Sequence, residues 1–197
     1  MPQGFYSKEE LKNLGFSKLG DDVFISKKAS IYGASQMVIG NHVRIDDFAL
    51  LIGNIELHDY IHIGAYCGLH ASKTGRIIFE DFSGISSNVN IYACSDNFDG
   101  EAMTARPGIP EICINNECEL VRLEKYTQIG TGSTVLPTGS LGEGAAVGAM
   151  SLVNKFLGPW NVYAGIPCKF IKKRSKNILK LVEKYIGKNI KEIIEGE

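Results

Sequence analysis

Residues 39–69 read IGNHVRIDDFALLIGNIELHDYIHIGAYCGL, and every sixth residue from Ile39 is aliphatic: Ile45, Leu51, Leu57, Ile63 and Leu69 follow in turn. The period resumes at Phe79, Ile85 and Ile91, and again from Leu123 through Ile129, Val135, Leu141 and Val147 to Val153. With Ile25 and Ile31 it covers seventeen positions, all apolar. Four residues after each comes a side chain that is usually small or β-branched, as at Ala49, Ser83, Thr127, Ser133, Ala145 and Ser151. Glycine often follows the aliphatic directly, at Gly40, Gly64, Gly130, Gly142 and Gly148. A period of six matches neither the helix nor the simple strand. It matches a short strand plus a turn, three of which close one triangular coil. The aliphatic fills the axis, the small residue fits beside it, and glycine relieves backbone strain at the bend. Coils stack at about 4.8 Å, so seventeen units predict nearly six coils and a rod about 25 to 30 Å long.

The interruptions of the period point to a site. Two extra residues fall between Ile31 and Ile39, four between Leu69 and Phe79, and twenty-six between Ile91 and Leu123. All three fall at the same corner of the coil. Insertions into a solenoid leave it as loops, and loops gathered on one side commonly form its binding face. Segments 33–38, 70–76 and 94–120 are therefore expected to converge.

Around the repeat, composition excludes several classes. The 197 residues are 44% apolar and 22% charged, as in one soluble globular domain, and the net charge of -1 lacks the basic footprint of a nucleic-acid binder. No apolar run approaches the roughly 20 residues of a membrane span, and MPQGFYSKEE has no secretory pattern, so a cytoplasmic location is expected. The five cysteines, Cys67, Cys94, Cys113, Cys118 and Cys168, show no metal or redox spacing, and no disulfide scaffold or metal site is predicted. Gly139–Gly144 superficially resembles a dinucleotide fingerprint but keeps the six-residue period, and the Gly84–Asn88 stretch is not a nucleophile elbow.

The hexapeptide pattern, with Val147–Lys155 (VGAMSLVNK) and Tyr163–Lys169 (YAGIPCK), resembles the hexapeptide-repeat acyltransferases. That resemblance implies an all-β fold, a left-handed parallel β-helix. Here it would span residues 23–168, with an external loop over 94–120, an N-terminal segment 1–22 and a basic C-terminal segment 169–197. The left hand comes from the resemblance, since crossovers in ordinary parallel sheets are right-handed. Ser7 and Glu10 read as a capping box opening a short helix that stops near Gly15. Residues 175–194 read as an amphipathic helix packed on the coil, with a possible interruption at Gly187.

The resemblance also implies an acyl-CoA cosubstrate and an acyl acceptor. In the galactoside and maltose O-acetyltransferases of this family a loop histidine acts as base, but here residues 94–120 hold no histidine and Asp96 falls at about the matching position. A carboxylate of ordinary pKa near 4 is a poor base for a hydroxyl, whereas an amine arrives as an ammonium that carboxylates attract. Asp96 and Glu101 therefore fit an amino-sugar acceptor, although both also suit solvated turn residues. His70, one coil below Tyr92 at the mouth of the loop, is read either as a base or as a partner of a sugar hydroxyl. Ser86 is a weaker candidate for a substrate hydrogen bond, while His42, His58 and His62 are read as solvated or intersubunit residues.

Between Lys169 and Lys191 nine Lys or Arg face a single acid, Glu183. A solvated helix face explains most of that charge. By resemblance, Lys155, Lys169, Lys172 and Arg174 match contacts to the phosphates of coenzyme A, and Thr131 and Ala149 match contacts to its pantetheine arm. The expected function is acyl transfer from acyl-CoA to the amine of a nucleotide-linked deoxyamino sugar for surface polysaccharide, in a homotrimer with sites between subunits. An O-acetyltransferase with His70 as its base and a non-catalytic β-helix scaffold are the alternatives.

Overall fold

The computed structural model describes residues 4–104 and 107–186, and they form a left-handed parallel β-helix of three faces. Leu19, Ile39, Leu57, Phe79 and Leu123 stack in parallel register on the first face, continued by bridges to Leu141 and Leu157. Ile25, Ile45, Ile63, Ile85, Ile129, Val147 and Tyr163 form the second face. Ile31, Leu51, Leu69, Ile91, Val135 and Val153 form the third. Leu19, Leu157 and Tyr163 extend the ladder beyond the seventeen positions, so there are about seven coils, and the first strand lies at Lys18–Leu19 rather than after residue 22. Most of the repeat aliphatics are fully buried, and so are the small residues beside them, including Ala49, Thr127, Ser133 and Ala145. Burying one such aliphatic stabilises the coil by about 1.5–3 kcal/mol.

Glycine acts differently from the sequence expectation. The left-handed corner positions are held mostly by other residues: Asp22, His42, Tyr60, Phe82, Tyr126 and Trp160 between faces one and two, and Phe48, Tyr66, Asn88 and Met150 between faces two and three. Aromatic stacking offsets the strain, with ring centroids 4.5 Å apart for His42–Tyr60, 4.6 Å for Tyr60–Phe82 and 4.9 Å for Phe48–Tyr66. The glycines after the aliphatics have ordinary φ and answer a different need. A Cβ at Gly40 would lie 2.6 Å from the His58 carbonyl oxygen, and one at Gly130 would lie 2.5 Å from the Ala149 nitrogen. They are required by the close approach of neighbouring coils.

At the N-terminus, α1 (Lys8–Asn13) opens on the expected capping box, with Ser7 and Glu10 bonded reciprocally. Its Leu11 plugs the end of the core. At the other end, Asn161–Ala164 turns back into the antiparallel strand Lys169–Lys173 and then into α2 (Asn177–Tyr185). Contrary to the expected packing on the coil, no residue of α2 is buried, and Leu181 and Tyr185 are exposed. The rest of that predicted helix, including Gly187, lies outside the described residues.

Candidate active site

The three insertions meet where the third face turns into the first. Leu50–Leu57 runs straight through this corner, and Gly68–Phe79 pairs with it through register shifts at Ile52–Gly53 and Gly53–Ile55. The long excursion leaves along Cys94–Asp96 and returns along Asn116–Cys118, an antiparallel pair. Directly opposed in it, Cys94 and Cys118 form a disulfide with Cα atoms 4.1 Å apart. Their separation of 24 residues matches no local motif, which is why spacing alone missed them. Thr74 Oγ1 donates to Cys118 Sγ at 3.1 Å, and Gly75 is needed because a Cβ there would meet Cys94 Sγ at 2.7 Å.

This clamp ends two residues before Asp96. Beyond it, Asn97 Oδ1 accepts from the Asp99 N–H and Asp99 Oδ1 from the Glu101 N–H, both at 2.8 Å. Those turns present Glu101 on an exposed loop, and neither Asp96 nor Glu101 has an ion-pair partner among the described residues. His70 lies at the same corner and pairs in register with Tyr92, whose ring stacks on it at 4.6 Å. Burial depresses the His70 pKa below its ordinary 6.5, against the opposing hydrogen bond from Asn90, so the ring is neutral at pH 7. Ser86 is elsewhere. It stands exposed at the corner after face two, a different edge of the prism from His70 and Asp96 within one chain.

That second edge differs chemically from its neighbour. Between faces one and two, the first N–H of the turn is capped in three successive coils by a side chain of the next: Asn41 Oδ1 accepts from Asp21, Asp59 Oδ1 from Asn41, and Asp81 Oδ1 from Asp59. At the corresponding positions between faces two and three stand Ala65, Ser87, Thr131 and Ala149, whose N–H groups have no acceptor among the described residues. A row of open donors thus lines this edge, and it leads to the exposed Lys155, Lys169 and Lys172. Buried Cys67 supports the row by donating to the Ser86 carbonyl at 3.0 Å, and burial pushes its thiol up to about 11, which makes it inert.

Two cofactor candidates need correction. The Thr131 hydroxyl is engaged by the Ser87 carbonyl at 2.6 Å, leaving its backbone as the available donor. Arg174 is a structural clamp: it donates to the carbonyls of Tyr126 and Gly144 at 2.7 and 3.0 Å and to Gln128 Oε1 at 3.0 Å. A guanidinium held this way has little left for a phosphate.

Across face two, from the aromatic edge to the open one, runs a groove of about 640 Å³. Gly64, Gly84, Gly130 and Ala146 give it a bare floor, and Tyr60, Phe82 and Ser86 line it. His62, expected from the sequence to be a solvated or intersubunit residue, lines it too, together with Asp46, which the sequence did not single out. The signal was the absence of side chains around His62, since Gly84 follows it in register.

A left-handed solenoid with an open donor edge running to a basic exit strand, and an acidic loop leaving another edge, defines a hexapeptide-repeat acyltransferase. No protein-family profile matches the chain. It is 42% identical over 175 residues to the dTDP-4-amino-4,6-dideoxy-D-glucose acyltransferase of Escherichia coli, covering 87% of this chain and 90% of that one. The N-acyltransferase AntD from Bacillus cereus, solved with dTDP-4-amino-4,6-dideoxyglucose and coenzyme A, superposes with a TM-score of 0.90 at 42% identity, over 95% of this chain and 99% of that one. The same relative with dTDP and 3-hydroxybutyryl-CoA gives a TM-score of 0.90 at 43% identity, over 94% and 98%. The chain belongs to the hexapeptide-repeat sugar acyltransferases and is an acyl-CoA-dependent enzyme.

Proposed function

We propose that the chain transfers an acyl group from acyl-CoA to the amine of a dTDP-linked 4-amino-4,6-dideoxy sugar, in the cytoplasm, for a surface polysaccharide. The observation that carries this reading is the pair of edges: open N–H donors ending in lysines for an anionic, amide-bearing donor, and the loop acids Asp96 and Glu101, without an ion pair among the described residues, for a cationic acceptor. The pantetheine amides lie along Ser87, Thr131 and Ala149, and Lys155, Lys169 and Lys172 meet the phosphates. Asp96 and Glu101 attract and orient the ammonium, His70 bonds a sugar hydroxyl, and Ser86 meets the sugar near the thioester. Structures of AntD include variants of one serine and one aspartate, the residue types of Ser86 and Asp96. The deprotonated amine attacks the thioester carbonyl, backbone N–H groups hold the oxyanion, and coenzyme A thiolate leaves. Because Ser86 and Asp96 stand on different edges, the complete site forms between copies in a homotrimer.

A thiol-release assay with acetyl-CoA and 3-hydroxybutyryl-CoA against amino and hydroxy sugars, free and dTDP-linked, tests this directly. Turnover is expected only with the dTDP-linked amine, and turnover confined to hydroxyl acceptors would refute it. The disulfide gives a second expectation. Reduction, or Cys118→Ser, frees the base of the loop and should raise the KM for the sugar by about three- to tenfold while leaving that for acyl-CoA within twofold. Equal sugar KM values in oxidised and reduced enzyme would remove the clamp from the site.

A further inference from the structure

The loop acids orient an ammonium, but attack requires the free amine, so some group must take a proton from it. The face-two groove holds such a group. His62 Nε2 lies 2.8 Å from Asp46 Oδ2, while Asp46 Oδ1 accepts from Arg44 Nε at 2.7 Å. Asp46 is mostly buried, its side chain 20% exposed, whereas the His62 side chain is 56% exposed. The carboxylate therefore sits in the wall and the imidazole at the opening. With Asp46 accepting from Nε2–H, the lone pair is at Nδ1, which has no partner among the described residues.

The surroundings leave that atom reachable. His62 pairs in register with Arg44 on one side and Gly84 on the other, so no side chain covers it from the following coil. Ser86 lies two residues beyond Gly84 on the same groove, and the open Ser87 N–H follows it. The groups facing His62 are Arg44, Asp46, Tyr60 and Gln128; the Arg44 cation is paired with Asp46.

We propose that His62, oriented by Asp46, is the base of the acyl transfer; this rests on the function proposed above. His62 Nδ1 takes one proton from the acceptor ammonium. The freed nitrogen lone pair then forms the C–N bond to the thioester carbonyl, the C–S bond breaks, and the second nitrogen proton passes to the departing thiolate. The products are the amide, the thiol of coenzyme A and an imidazolium that returns its proton to solvent. Asp46 is a positioning residue: it selects the tautomer and stabilises the imidazolium.

The test is steady-state thiol release by the wild type, His62→Asn, His62→Gly and Asp46→Asn, with acetyl-CoA and the dTDP-linked amino sugar between pH 5.5 and about 9. The expected results are a kcat about 100-fold lower in His62→Asn with acetyl-CoA KM within twofold, and partial rescue of His62→Gly by added imidazole. Asp46→Asn should lower kcat about tenfold while acetyl-CoA KM stays within twofold, because the imidazole loses the partner that fixes its tautomer and orientation. A folded His62→Asn enzyme with wild-type kcat overturns the proposal. A wild type that releases no thiol overturns the function beneath it, and this assignment falls with it.

Discussion

Asp96→Asn is expected to lower kcat/KM for the dTDP-linked amino sugar by about 100- to 1000-fold, while the KM for acyl-CoA stays within twofold. The substitution keeps the shape of the side chain and removes its charge. Asp96 closes the strand Cys94–Asp96, opposite Asn116, so its backbone is held by the ladder and by the Cys94–Cys118 bridge behind it. Asparagine in that position still pairs across the strand, and no structural collapse confounds the measurement. What disappears is the proposed attraction for an ammonium; truncating one partner of a hydrogen-bonded charge pair that the bound acceptor desolvates costs about 2–5 kcal/mol. At about 1.4 kcal/mol per factor of ten, that matches the expected loss. A kcat/KM within threefold of wild type would remove Asp96 from acceptor binding and leave Glu101 as the remaining loop acid.

The axis of the fold was legible because each coil must fill its centre from its own chain. The axial position of every six-residue unit from Ile25 to Val153 therefore had to be apolar, whatever lay outside. The corner from which the loops leave was legible for a related reason, since residues inserted into a closed coil have nowhere to go but outward. Features that depend on neighbouring coils were harder to read. Arg174 looked like a phosphate ligand because its partners, Tyr126, Gly144 and Gln128, are brought to it only by stacking. His62 and Asp46 likewise become partners only when the register places one coil on the next. The open donor edge had left a trace in the chain, however. Asn41, Asp59 and Asp81 can cap a neighbouring N–H, whereas Ala65 and Ala149 cannot.

The same dependence of each coil on the next sets the second large effect. Phe79 is the largest fully buried side chain among the described residues, stacked in register between Leu57 and Leu123. Between it and Leu123 the chain makes its longest excursion, so this contact holds the two halves of the solenoid together across the loop. Phe79→Ala is expected to destabilise the protein by about 3–5 kcal/mol, through lost burial and a cavity that the stacked backbones cannot close. In a chain of this length that corresponds to a Tm lower by roughly 6–20 °C. Phe79→Leu should cost distinctly less, because leucine already fills the same slot at Leu57 and Leu123. In a solenoid, stability is a sum over neighbouring repeats, so the weakened interface should also separate the unfolding of the two halves. Chemical denaturation followed by circular dichroism, alongside limited proteolysis of the 94–120 loop, measures both effects. A single transition at the wild-type midpoint in Phe79→Ala would mean that the coils on either side of the loop are joined by something other than their shared core.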